Sequence, residues 1–131
     1  MRSARRFDLI EADPLWPTSA YAGNLYSHGY FTLLRDRLKP NGIAVSWAPT
    51  GRVRNTFINV FPYVLDYGDI VIGSREPIAF DADSIRARLT GAVRARYAES
   101  GVDIAALLAP YLDRRPRLHY TGRRSRRTAA T

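Results

Sequence analysis

Cysteine is absent from the sequence, which excludes disulfides and thiolate metal sites. No apolar run approaches the length of a membrane span, and the arginine-studded start has no apolar signal-peptide core. Zinc-ligand spacings, a P-loop, GxGxxG and GxSxG are all missing. The two histidines, His28 and His119, stand far apart with no metal-ligand context. Internal repeats are lacking too. The expectation is a cytoplasmic protein with no membrane partner and no bound metal.

Acid is missing from one region. Residues 114–131 hold seven arginines and no carboxylate, a net +7, while residues 1–113 hold 13 basic and 12 acidic groups, a net +1. The formal charge of +8 is therefore a property of the tail. One reading of such a tail is contact with nucleic acid or an anionic surface. The other is a frayed, disordered terminus, and it is preferred because only Tyr120 interrupts the arginines as a stacking platform.

What is present suits one small α/β domain: 131 residues, 46% of them hydrophobic, are enough for a single core. "FDLIEAD" (7–13) predicts a strand that stops at Pro14. A loop broken by Pro14, Pro17 and Gly23 follows. Ser27 predicts the N-cap of a helix over about 28–38, with Tyr30, Phe31, Leu34 and Leu38 at helical spacing. "KPNG" (39–42) predicts a helix stop. "GIAVSWAP" (42–49) predicts a strand whose near-continuous apolar run suits cover on both faces. Thr50 predicts the cap of a helix over about 51–61, ended by Pro62. "YVLDY" and "DIVIGS" predict an antiparallel pair joined through Gly68. A helix begins at Asp81 or Asp83 with the stripe Ile85, Leu89, Val93 and Tyr97, and a short one spans 103–112. This alternation predicts a parallel sheet with helices on both sides.

These segments carry a resemblance. "FDLIEAD…NLYS…LRDRLKPNGIAVSWAPT…FPYVLDYGDIVIGSREPI" resembles the C-terminal half of spermidine synthase-like aminopropyltransferases, over roughly residues 7–112. The fold implied is a partial Rossmann-like, class I methyltransferase fold containing strands four to seven with flanking helices. On that reading 1–80 is the C-terminal half of the α/β domain, 81–113 are C-terminal helices, and 114–131 is the basic tail. Strands one to three, with the glycine-rich loop and acidic strand end that hold the cofactor, would precede Phe7. The lone chain is then expected to bind no cofactor. Its partner would be an N-terminal half or a second copy.

The resemblance also implies a chemistry. In that family an amine attacks the carbon beside the sulfonium of decarboxylated S-adenosylmethionine, and a carboxylate orients the amine and takes its proton. Asp13 matches the first aspartate of the family's D-x-x-D-P loop, at the C-terminal strand end where open α/β sheets place ligands. Without the resemblance Asp13 reads equally as a turn or capping residue. The family's second aspartate falls on Trp16, which offers a cation–π face but no charge. Pro17 keeps the following proline, by resemblance a cofactor-binding position. Trp47 stands where the family often has glutamine, and reads as core before it reads as a substrate contact. Trp16, Tyr21 and Tyr26 either line a substrate pocket or pack over the sheet edge. These changes point away from putrescine, toward a bulkier or flatter amine or a divergent subfamily. Asp8 and Glu11 read as ordinary strand or surface residues, and Gly29 replaces an acid usual in the family's first helical turn.

Three functions remain open. The chain is part of an aminopropyltransferase that is inactive alone, half of a class I S-adenosylmethionine-dependent methyltransferase, or a non-catalytic vestigial protein with a basic nucleic-acid-binding tail.

Overall fold

The computed structural model describes residues 4–13, 16, 18–20 and 22–121. The chain divides into two compact units, Met1–Ile78 with Arg117–Thr131, and Ala79–Pro116.

The first unit is built on a five-stranded mixed sheet. Its strands are β1 (Phe7–Ala12), β2 (Leu38–Trp47), β3 (Tyr63–Asp66), β4 (Ile70–Ser74) and β5 (Arg117–Tyr120), in the order β1-β2-β4-β3-β5. β1 pairs with β2 in parallel, and every other pairing is antiparallel. Helices α1 (Ala22–Leu25) and α2 (His28–Asp36) connect β1 to β2, and α3 (Gly51–Val60) connects β2 to β3. An α/β class is thus established, with a mixed sheet in which β1 and β2 run parallel and β3 and β4 form the antiparallel pair expected through Gly68.

The helices begin where the capping residues place them. The Ser27 side chain accepts from the Tyr30 N–H and that of Thr50 from the Val53 N–H, each filling one orphan donor of a first turn. α2 buries Phe31 and Leu34, and α3 buries Val53, Phe57 and Val60. These meet Leu38, Ala44, Val64 and Val71 of the sheet in one apolar core. Phe31 meets Phe57 edge-on at 5.1 Å, and Phe57 stacks on Phe61 at 4.3 Å. The stack needs Gly73: a Cβ there would lie 2.5 Å from the Phe61 ring and 2.8 Å from that of Phe57.

Three expectations need correction in this unit. β2 begins at Leu38, because the segment expected to stop the helix bulges within the strand. Phe7 is opposite Leu38 but Leu9 is opposite Ile43, and Asn41 takes a left-handed φ of 58° just before Gly42. Second, β2 is not covered on both faces. From Gly42 to Ala48 its residues alternate between buried and half-buried. Ala44 and Ser46 face the helices, whereas Ile43, Val45 and Trp47 stay half-buried on the other side. The sequence could not separate these cases, since both faces are apolar. Third, part of the tail is ordered. Arg117–Tyr120 alternates, sending Leu118 and Tyr120 to one face and His119 to the other, and it pairs with β3. His119 Nε2 lies 3.1 Å from a buried Asp66 carboxylate, and Tyr120 meets Tyr63 across the strands. Asp66 also accepts from the Gly68 N–H, closing the β3–β4 turn, with Arg54 Nε at 3.9 Å. Residues 122–131 lie outside the described residues.

The second unit holds α4 (Ala82–Arg88), α5 (Gly91–Ala98) and α6 (Ile104–Asp113). The stripe Ile85, Leu89, Val93, Tyr97 is not one helix. Leu89 closes α4 and Thr90 caps α5, accepting from the Val93 N–H. No residue of α4 or α5 is buried, so packing does not hold the two segments in line. Asp81 caps α4, and hydrogen bonds from Ser84, backbone first and side chain second, hold its carboxyl below the usual value. Arg86 ties α4 to α6 through Asp113 at 2.7 Å. Among the described residues no helix is long and apolar enough to cross a membrane.

Candidate active site

β1 ends in Glu11-Ala12, and Asp13 follows it. Alternation puts Ala12 into the core, and Leu9 and Glu11 on the other face. The register extends that face across the sheet. Glu11 is opposite Val45, Val45 is opposite Ile72, and Trp47 is opposite Ile70. At the C-terminal end of β1 and β2 these residues form a cleft of about 520 Å³, lined by Glu11, Ala12, Asp13, Trp16, Val45, Trp47 and Ile70. Its floor is aliphatic and indole, and one side carries two carboxylates. The Trp16 ring stands edge-on to that of Trp47, with centroids 5.0 Å apart and planes at 89°. Trp16 is nevertheless 68% exposed, so its other surface faces solvent.

Asp13, Trp16 and Trp47, three of the residues singled out in the sequence, are therefore together. Trp47 is both half-buried and a cleft residue, so its two readings merge. Tyr26 differs. It is buried in the core and does not line the cleft, which decides for packing over the sheet. Burial first, and then the Asp13 charge, raise its phenol above the ordinary 10.0. Tyr21 and Pro17 lie outside the described residues.

Glu11 is an exposed residue of β1, as read from the sequence, and it lines both this cleft and the depression beside α2. Among the described residues Glu11 has no ion-pair partner, although Asp8 of the same strand is held by Lys39 at 2.9 Å. Two carboxylates and two indoles around an aliphatic floor suit an organic cation: the acids supply charge, the rings a quadrupole and the floor apolar contact. No group of acidic or histidine side chains suited to a metal ion occurs among the described residues.

No family model matches the chain, and no curated protein does.

A second depression, of about 870 Å³, runs beside the free edge of β1. It is lined by residues of that strand, including Phe7 and Leu9, and by α2, including Leu33. Leu9 is 58% exposed, Leu33 48% and Phe7 45%. Among the described residues β1 is bonded on one side only, to β2, so within them its other edge presents unpaired backbone groups beside apolar side chains.

Proposed function

We propose that this chain carries the amine-binding half of an aminopropyltransferase-like active site. The observation that carries the reading is the cleft at the C-terminal end of β1, where Asp13 lies beside Trp16 and Trp47. The topology supports it. In a doubly wound sheet of order 3-2-1-4-5-6, ligands bind beyond the carboxyl ends of the strands. β1, β2 and β3 can be read as strands four, five and six of that order, with β4 inserted antiparallel between the last two.

An amine nitrogen would attack the carbon next to a sulfonium, forming the C–N bond as the C–S bond breaks. Asp13 would hold the nitrogen and accept its proton. An alkylamine, like a lysine, is protonated at neutral pH with a pKa of about 10.4, so a neighbouring carboxylate is the group the chemistry needs. The donor set of the cleft fits a cationic co-substrate such as decarboxylated S-adenosylmethionine. The free edge of β1 and the apolar groove beside it are the surface on which the cofactor-holding strands of such a fold would pair.

A methyltransferase half is the second reading, favoured by the same strand order, and it differs in the group transferred. Incubation with isotope-labelled decarboxylated S-adenosylmethionine and a panel of amines separates the two. Labelled aminopropyl product, formed when a polypeptide bearing the glycine-rich cofactor strands is added and not by the chain alone, is expected. Transfer only from methyl-labelled S-adenosylmethionine would replace the reading with the second one.

A further inference from the structure

We propose that the sheet edge at β5 is a binding surface for single-stranded nucleic acid: unpaired bases stack on Tyr120, and the arginines that follow it hold the phosphates. The inference does not rest on the amine reading.

An arginine run attracts any polyanion. A single strand differs from a duplex in its exposed bases, and these need a ring to stack on. In the sequence Tyr120 stands alone among the arginines. The structure gives it a fixed place and a neighbour. β5 pairs with β3 so that Tyr120 lies opposite Tyr63 and Leu118 opposite Leu65. The two tyrosine rings meet edge-on, with centroids 5.4 Å apart and planes at 67°. Tyr63 is half-buried on a strand bonded on both sides, so it can hold the Tyr120 ring, 45% of which stays exposed. Leu118, 51% exposed, shares that face two residues away, about 6.6 Å along the strand. On the other face His119 reaches the buried Asp66. Just past Tyr120, the Thr121 N–H donates to the Pro62 carbonyl at 2.9 Å. The ring is thus positioned in advance, and a base stacking on it orders little more of the chain.

The charge lies at the same end. Arg123, Arg124, Arg126 and Arg127 follow Tyr120 within seven residues, and no Asp or Glu occurs in 114–131. The acids of the cleft belong to the other edge of the sheet. β1 is four strands away from β5, about 19 Å at the usual strand spacing. That is beyond the Debye length of about 8 Å at physiological salt, so Glu11 and Asp13 do not oppose a phosphate at β5. Asp66, opposite Arg117, is buried and paired.

The experiment follows the fluorescence anisotropy of a labelled oligothymidylate of about 10 nucleotides with the purified full chain, from about 50 to 200 mM salt. A duplex of the same length and phosphatidylserine vesicles serve as competitors. The single strand is expected to bind more tightly than either. The slope of log K against log salt should be about −3, from four arginines at about 0.7 each. Tyr120→Leu keeps apolar bulk but removes the ring, and should weaken binding about tenfold with the slope unchanged. Tyr120→Phe should bind like the wild type, and a chain ending at Thr121 should lose most of the slope. Duplex or vesicles bound as tightly as the single strand, Tyr120→Leu binding like the wild type, or no binding at the lowest salt would each overturn the proposal. The comparison of single strand with duplex uses the wild type alone, so it decides whether or not a variant folds. None of these outcomes bears on the cleft.

Discussion

Trp16 meets Trp47 at right angles, with ring centroids 5.0 Å apart, beside the carboxylate of Asp13 in one cleft. Edge-to-face indoles hold each other through opposed quadrupole regions, a contact worth about 0.5–1.5 kcal/mol beyond area burial. Trp47 is fixed by the sheet, so it positions Trp16, which comes from the loop.

Trp47→Ala is therefore expected to free Trp16 as well as to remove a wall of the cleft. The remaining tryptophan should emit further to the red and lose most of its response to amines. Trp16→Ala should leave the emission of Trp47 responsive. Equal loss of response in both variants would show that the rings do not act in this order.

Tyr26 gives a pH-dependent readout of Asp13. Its phenol is raised by burial first and by the Asp13 charge second. The folded value thus exceeds the unfolded one, and the associated stability is fully present below pH 10. Above that pH the unfolded chain ionises first, and stability falls until the folded phenol ionises too. Asp13→Asn should move the Tyr26 titration downward, yet leave it above the ordinary value, because burial is the larger cause. An unchanged Tyr26 titration, followed by NMR, would mean that Asp13 points away from it.

Gly73 tests the aromatic core. A methyl group there meets Phe61 and Phe57 at 2.5 and 2.8 Å, and both rings are fully buried and cannot move aside without disturbing their stack. Gly73→Ala should cost about 1–3 kcal/mol of stability in denaturant unfolding. A neutral effect would show that the stacked pair has room to slide.

His119→Ala should loosen β5. It removes one partner of a nearly fully buried Asp66, which keeps the Gly68 N–H and the more distant Arg54. The expected cost is about 1.5 kcal/mol, with faster amide exchange at 117–120 and little change in β1 and β2. Uniform acceleration over the whole sheet would show that β5 is not a separable edge.

The edge of β1 that has no strand partner among the described residues predicts self-association of the isolated chain, because it lies beside exposed Phe7, Leu9 and Leu33. Sedimentation velocity should show association that rises with concentration and weakens in Leu9→Lys. A monomer at every concentration would contradict this.

Much of this was legible because its signals are local. Ser27 and Thr50 announce their helices through chemistry within three residues, and the apolar spacing of Phe31 with Leu34, and Phe57 with Val60, fixes the faces. Asp13 was legible as a strand-end carboxylate. The missed features depend on residues distant in sequence. β5 finds its place through His119 reaching Asp66, 53 residues away, and the arginine count hid its alternation. Glu11 belongs to the cleft only because β2 and β4 bring Val45, Trp47 and Ile70 against that face. The break at Leu89 and Thr90 was hidden by a stripe that continues through it, since spacing alone does not reveal that neither segment is buried.

In the proposed reaction Asp13 is the group that receives the amine. Its most direct test is transfer of label from decarboxylated S-adenosylmethionine to an amine, measured with the cofactor-holding strands supplied, for wild type and Asp13→Asn. Labelled aminopropyl product is expected with the wild type, and a loss of about a hundredfold or more in the variant. Transfer undiminished in Asp13→Asn would contradict it.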